Sequence, residues 1–334
     1  MNRPTMEDVA ERAGVSRALV SLVMNDSPKV SDEKRLAVLR AARDLGYRPN
    51  LMARNLAQQR TRTLGVLVND LHNPFFAEVI DGIETTAEER DYRVLVLNGR
   101  RNPERELTAI ETLLQFQVEA LILVGPNCDD DELEAISVTV PTVVVASHRY
   151  FPGVDAVVTD ERRGGELAVE HLAGLGHRRI VHIDGNRNHS AAARRKGYES
   201  AMRSAGLAER IDVRVGGDDE TDAFRAVEEI LSERPRPTAV FAFNDLLAAG
   251  VLDRLDDAGL APPDDISLVG YDNTFIAGLH HLSLTTVNQP RLAMGRLAVE
   301  TILERIEDGR EETVRHTLEP ELVVRGTTGP PPRP

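Results

Sequence analysis

From Thr63 onward, short apolar runs alternate with helix-length segments, and this alternation restricts the possible fold more than any other feature of the chain. The runs lie at 64–68, 92–97, 120–124 and 143–145, then at 180–183, 239–242 and 266–270. Runs this short and this continuous read as parallel strands buried on both faces. Helical segments are expected near 75–90, 103–117, 161–175, 190–205, 220–233 and 244–258. Such strand–helix repetition implies parallel sheets with helices on both faces. Two series imply two similar doubly wound lobes. Ligands of these folds bind at the carboxyl ends of the strands, so a cleft between the lobes is the expected site.

The first 62 residues follow a different pattern. They hold twelve basic and seven acidic side chains, a charge of +5, which leaves −19 of the total −14 for the remainder. A basic module joined to an acidic one fits this asymmetry. Thr5 can cap a first helix, with Val9, Ala10 and Ala13 on one face. Gly14-Val15-Ser16 breaks it: glycine tolerates the turn, Val15 plugs it, and Ser16 caps a second helix at 17–24 that buries Leu19 or Val20 with Val23. Ser31 caps a third helix with Leu36, Leu39, Ala42 and Leu45 inside and Gly46 as its stop. Two short helices joined through a tight glycine turn form a helix-turn-helix unit, whose second helix enters the major groove. The helix–glycine–helix pattern taken alone also fits any helical hairpin.

Composition narrows the alternatives. With 41% hydrophobic and 28% charged residues over 334 positions, the chain is globular and long enough for two or three domains. No apolar run approaches ~18 residues, so no membrane helix is expected. The start, Met1-Asn2-Arg3-Pro4, lacks a secretory apolar core, and a cytoplasmic location is expected. The single Cys128 excludes an internal disulfide and multi-cysteine metal sites. His280-His281 lacks a spaced His/Glu partner, and Gly174-Leu175-Gly176 reads as a helix end. Neither a phosphate-binding glycine loop nor a nucleophile elbow occurs, so an enzyme, a metal and a cofactor are not expected.

Asp8-Val9-Ala10, Ala13-Gly14-Val15-Ser16, Val20-Ser21 and Asn25, followed by Gly46-Tyr47-Arg48-Pro49-Asn50, Ala53-Arg54 and Leu56-Ala57, resemble the headpiece of the lactose/galactose-repressor (LacI) family. The resemblance implies a helix-turn-helix headpiece at 1–48 and a hinge helix at 49–60. It places Thr5, Ser16, Arg17, Ala18, Ser21, Leu22 and Asn25 in the headpiece contact to operator DNA. Asn50, Ala53 and Leu56 fall in the hinge, which in that family enters the minor groove. Arg17 can reach a guanine edge bidentately, and Leu56 can wedge a base step. Leu22 stands where an arginine is common in the family, so the operator half-site should differ from that of typical members.

The resemblance continues to about residue 326 through Asn73-Pro74-Phe75-Phe76, Leu175-Gly176-His177, Asn244-Asp245, Gly270-Tyr271-Asp272 and Leu284-Thr285-Thr286. It implies an α/β core at 61–326 like that of periplasmic sugar-binding proteins. Lobe one would comprise about 61–160 and 290–318, lobe two about 161–289 and 319–326, with a flexible tail at 327–334. Effector-binding positions carried over are Asn73, Phe76, Ser147, His148, Ser190, Arg194, Asn244, Asp272 and Gln289. An acidic residue usual after the fourth strand is replaced by Val145-Ala146-Ser147-His148, and an aromatic is missing from Gly217-Asp218-Asp219-Glu220. The implied partners are a pseudo-palindromic double-stranded operator, a small sugar-like effector and a second copy of the chain. A transport-type sugar-binding protein would share the core but would not carry the headpiece motifs.

Overall fold

The computed structural model describes residues 4–24, 27–47, 60–149, 151–185, 189–217 and 223–332. The chain divides into two units, Met1–Thr61 and Arg62–Pro334.

In the first unit, α1 (Met6–Ala13), α2 (Arg17–Met24) and α3 (Asp32–Leu45) surround a small core of Val9, Ala10, Val20, Val23, Val30, Val38, Ala41 and Ala42. Thr5 and Asp8 form a reciprocal cap, the Thr5 amide donating to Asp8 Oδ2 at 2.7 Å and the Asp8 amide to Thr5 Oγ1 at 3.3 Å. Gly14 and Gly46 end α1 and α3 in the left-handed conformation, each at φ 65°. The expected inward face of α3 is corrected in part. Ala42 and Leu45 pack on the core as expected, but Leu36 and Leu39 are 53% and 43% exposed, and Val38 and Ala41 point inward instead. Three short helices enclose so little space that one stripe of small residues fills it, and Leu36 and Leu39 are left on the outer face.

The second unit holds two six-stranded sheets. Sheet one contains β1 (Thr63–Val68), β2 (Arg93–Asn98), β3 (Ala120–Val124), β4 (Thr142–Val145), β5 (Asp155–Thr159) and β11 (Arg315–Leu318), in the order β11-β5-β4-β3-β1-β2. Sheet two contains β6 (Ile180–Asp184), β7 (Asp212–Val215), β8 (Ala239–Ala242), β9 (Ser267–Asp272), β10 (Thr285–Asn288) and β12 (Glu321–Val323), in the order β12-β10-β9-β8-β6-β7. All pairings are parallel except that of β10 with β12. Helices α4 (Pro74–Glu89), α5 (Pro103–Gln115), α6 (Asp130–Thr139) and α11 (Arg291–Glu307) cover sheet one. Sheet two carries α7 (Glu161–Gly174), α8 (His189–Ser204), α9 (Ala223–Ser232) and α10 (Asp245–Asp257). The chain passes between the lobes three times: from β5 into α7, from β10 into α11, and from β11 into β12.

Each lobe contains one very close helix crossing. A Cβ on Gly82 would lie 2.4 Å from Leu292 O, so α4 and α11 approach as only glycine permits. A Cβ on Gly197 would lie 2.1 Å from Arg162 O, which sets the same kind of contact between α7 and α8. The contacted residues Leu292 and Arg162 lie in the first turns of α11 and α7.

The flexible tail expected at 327–334 is also corrected, as far as residue 332. Thr327 is buried, donates from Oγ1 to Leu268 O at 2.7 Å and accepts from the Thr285 amide at 2.9 Å. The Gly329 amide donates to Ser267 Oγ at 3.1 Å, and its carbonyl lies 2.9 Å from His177 Nε2. Paired backbone groups and a buried histidine hold this Gly/Pro-rich segment, which composition alone read as loose. Among the described residues, no helix is long and apolar enough to cross a membrane.

Candidate functional site

Residues at the carboxyl ends of both sheets meet across a cavity of about 200 Å³. Lobe one contributes Asn69 after β1, Asn73 and Phe76 from the start of α4, Asn127 after β3, Ser147 and Arg149 after β4, and Arg101. Lobe two contributes Glu161 from α7, Ser190 and Arg194 from α8, Asn244 after β8, Asp272 at the end of β9, and Gln289 after β10. Two of the polar groups also cap helices. Asn73 Oδ1 accepts from the Phe75 amide at 3.0 Å, and Asn244 Oδ1 from the Leu247 amide at 2.7 Å. Helix initiation thus fixes the side chains presented to the cleft.

Arg194 is the centre of the lobe-two wall. Its Nε and Nη2 donate to Glu161 at 2.6 and 3.2 Å, and Nη1 donates to Phe243 O at 2.6 Å. The guanidinium lies over the rings of Tyr271 and Phe243, 3.7 and 4.5 Å from their centroids. Asp272 Oδ1 stands 3.6 Å from Arg194 Nη2 and accepts from Gln289 Nε2 at 2.7 Å. That bond orients the Gln289 amide and leaves its buried Oε1 without a protein partner.

Asp272 has φ 105° and Asn273 φ 52°, conformations unusual for residues other than glycine. The turn is held from behind by Asp245, which accepts from the Thr274 amide at 2.7 Å, Thr274 Oγ1 at 3.0 Å and Thr286 Oγ1 at 2.6 Å. Arg291 donates to the Asp272 carbonyl and, from Nε, to Glu78 Oε2 at 2.7 Å, which joins the turn to α4 of lobe one. Burial pushes the Asp272 carboxyl up to about 7, with Arg194 pulling it down and Asp245 adding to the rise.

Of the nine effector positions expected, Asn73, Phe76, Ser147, Ser190, Arg194, Asn244, Asp272 and Gln289 line this one cavity. His148 does not. Its Nε2 is buried without a partner, and burial holds its pKa below the ordinary histidine range. Asn69, Arg101, Asn127, Arg149, Glu161 and Phe243 line the cavity and were not among the expected residues. Asn69 and Phe243 directly follow an apolar run, and the rule that ligands meet strand carboxyl ends could have marked them. Glu161 and Asp272 are the carboxylates that line the cavity. Residues 218–220 of the Gly217–Glu220 departure lie outside the described residues.

On the headpiece, Arg17, Ala18 and Leu22 share the outward face of α2, opposite the buried Val20 and Val23. Ser21 is half-buried. Ser16 starts the helix, its Oγ accepting from the Leu19 amide at 3.3 Å, and Thr5 starts α1. Arg17 Nε lies 3.2 Å from Glu7 Oε1, an exposed pair of small energetic weight. Asn25, Asn50, Ala53 and Leu56 lie outside the described residues. Among the described residues, no cluster of three metal-ligating side chains occurs.

Comparisons with known proteins agree with this arrangement. Residues 5–50 match the model of bacterial regulatory proteins of the lacI family, and residues 61–322 match that of periplasmic binding proteins and the sugar-binding domain of the LacI family. The HTH-type transcriptional regulator GalR of Escherichia coli is 36% identical over 332 residues, covering 98% of this chain and 96% of that protein. The HTH-type transcriptional repressor PurR of Photobacterium profundum is 34% identical over 325 residues, covering 96% and 97%. Among solved structures, a Lac repressor dimer bound to operator and the anti-inducer ONPF superposes with a TM-score of 0.84 at 29% identity, covering 98% of this chain and 100% of that one. A complex of the transcriptional regulator CelR with cellobiose gives 0.73 at 32% identity, covering 97% and 100%. These relatives are regulators, not enzymes or transport-type binders. The chain belongs to the LacI family of DNA-binding transcriptional regulators, with an N-terminal helix-turn-helix and a two-lobed effector-binding core.

Proposed function

We propose that the chain acts as a cytoplasmic homodimeric repressor on a pseudo-palindromic operator, and that a sugar-like small molecule held between the lobes sets its operator affinity. The carrying observation is the convergence of amide, hydroxyl, carboxylate and guanidinium groups from both lobes on one cavity beside the aromatic face of Phe76. Planar Arg, Asn, Asp and Gln groups can bond adjacent hydroxyls in pairs, and an aromatic face suits the apolar side of a sugar ring. Cellobiose in the CelR complex and the dimer of the operator-bound Lac repressor support this reading. Arg17, Ala18 and Leu22 would read bases, Thr5, Ser16, Ser21, Asn25 and Asn50 would hold the backbone, and Ala53 and Leu56 would occupy the minor groove. Effector closure of the cleft would change operator affinity by about 1–3 kcal/mol, the usual size of such coupling.

Selection of oligonucleotides by the full-length protein, followed by titration of the selected site with mono- and disaccharides, tests the proposal. A two-fold symmetric consensus and a saccharide that shifts its affinity about fivefold or more are expected. Binding with no sequence preference at moderate salt would refute it.

A further inference from the structure

At the opposite end of sheet two from the cleft, the amino ends of β6, β7 and β8 border a groove of about 590 Å³. These strands run four or five residues, which separates the groove from the cavity at their carboxyl ends by about 15 Å. Val181 of β6 stands opposite Asp212 of β7. Two residues nearer the amino end, Arg179 and Arg210 are therefore neighbours, and both line the groove. On the other side of β6, the Thr238 amide donates to Arg179 O at 3.0 Å, which brings up Pro235 and Pro237 as a further wall. The exposed Pro235 and half-buried Ile211 give that groove apolar surface.

Carboxylates are in surplus in this part of the chain, since residues 63–334 carry −19. Arg162, Arg163, Arg195, Arg203, Arg214 and Arg254 of the same lobe each stand within 3.2 Å of one. Among the described residues, Arg179 and Arg210 pair with none. Between the two prolines, Arg236 also pairs with none, and its Nε is buried without a hydrogen-bond partner. Two carboxylates do reach the groove. Asp212 is spent on Arg214, accepting from Nε at 2.6 Å and from Nη2 at 2.9 Å. Glu209 is exposed and pairs with no cation among the described residues. The groove thus sets two uncommitted guanidiniums against one uncommitted carboxylate.

We propose that this groove is a second ligand site and binds a nucleoside di- or triphosphate. Guanidiniums fork onto phosphate oxygens, and two of them side by side suit two linked phosphates better than one. The flat base would rest on Pro235 and Ile211, in a groove whose size is ordinary for a small-molecule site. Glu209 repels the phosphates and limits affinity. The site is separate from the cleft and does not depend on what the cleft holds.

The test is calorimetric titration of the full-length protein, free of DNA, with ADP, ATP, adenosine and inorganic pyrophosphate at matched ionic strength. ADP or ATP should bind saturably, at least about tenfold more tightly than adenosine or pyrophosphate. Arg179→Gln and Arg210→Gln should each weaken that binding about tenfold or more, and Glu209→Gln should strengthen it about threefold. Glu209→Gln supplies a gain of binding, which a misfolded variant would not show. Arg149→Gln and Arg17→Ala report binding in the cleft or on the headpiece instead. Absence of saturable nucleotide binding would overturn the proposal. So would binding that survives both groove substitutions, that Arg149→Gln or Arg17→Ala abolishes, or that pyrophosphate alone matches.

Discussion

Replacing Arg194 by Met removes the cation that pairs with Glu161, and the structure gives the size of the effect. Glu161 and Arg194 are 1% and 4% exposed, so the remaining carboxylate would be stranded in a dry environment. Breaking a buried pair from one side costs about 3–5 kcal/mol, whereas replacing both partners by apolar groups is often close to neutral. The loss here should sit in the upper half of that range, because Met also forfeits the Phe243 carbonyl bond and the stacking on Tyr271. For a unit of this size, about 4 kcal/mol lowers Tm by roughly 8 °C. The assay is a thermodynamic cycle by urea unfolding of wild type, Arg194→Met, Glu161→Leu and the double variant. The double variant should recover about 2 kcal/mol or more relative to the summed singles. Additive losses, or a single-variant cost under about 1 kcal/mol, would refute the buried-pair argument.

Three further outcomes follow from the same geometry. Arg17→Ala should cost about 1–3 kcal/mol on the operator and relax discrimination at one base pair; equal losses on operator and random DNA in gel-shift titrations would remove Arg17 from the base-reading set. Because burial raises the Asp272 pKa above its unfolded value, its protonated form is favoured in the fold, and its ionisation subtracts stability as pH rises from the ordinary Asp value to about 7. An effector that donates to the Asp272 carboxylate favours the ionised form, so affinity should increase as pH rises through 7. Dissociation constants at pH 6, 7 and 8 check this, and Asp272→Asn should flatten the profile. Burial lowers the pKa of both His171 and His177, so the docked tail is fully stable above the ordinary histidine pKa and loosens as pH falls below it. Amide-exchange protection at Thr285 and Gly329 should fall between pH 7 and 5; constant protection would show that the histidines do not hold the tail.

Most of the buried strands, and β2 at one edge, were legible in the sequence because they write themselves as continuous apolar runs. The buried β5 (DAVVT) and β10 (TTVN) were not, since polar residues interrupt their runs, and neither were the other edges. The sequence DVRV of β7 and RHTL of β11 are half-exposed edge strands, whose polar residues break the signal. In α6 only Leu133 is buried, so the helix shows little apolar periodicity. The cleft was legible through the family motifs at Asn73, Asn244 and Asp272. Glu161 and Asn127 became visible only with the coordinates, since their roles come from partners 33 and 21 residues away. Leu36 and Leu39 misled for the opposite reason: helical spacing identifies a face, but not which of two candidate faces turns inward.

The three passages between the lobes bear on how the chain reaches its native state. Lobe one is complete only when residues 315–318 pair with β5, across a register joining Arg315 to Ala156. Lobe two waits for residues 321–323 to pair with β10. Neither lobe is a continuous stretch of sequence, so no single proteolytic cut can release one intact. Until these last strands arrive during synthesis, β5 and β10 each keep an open edge, and the whole core carries the slow folding and aggregation exposure of long-range strand pairing.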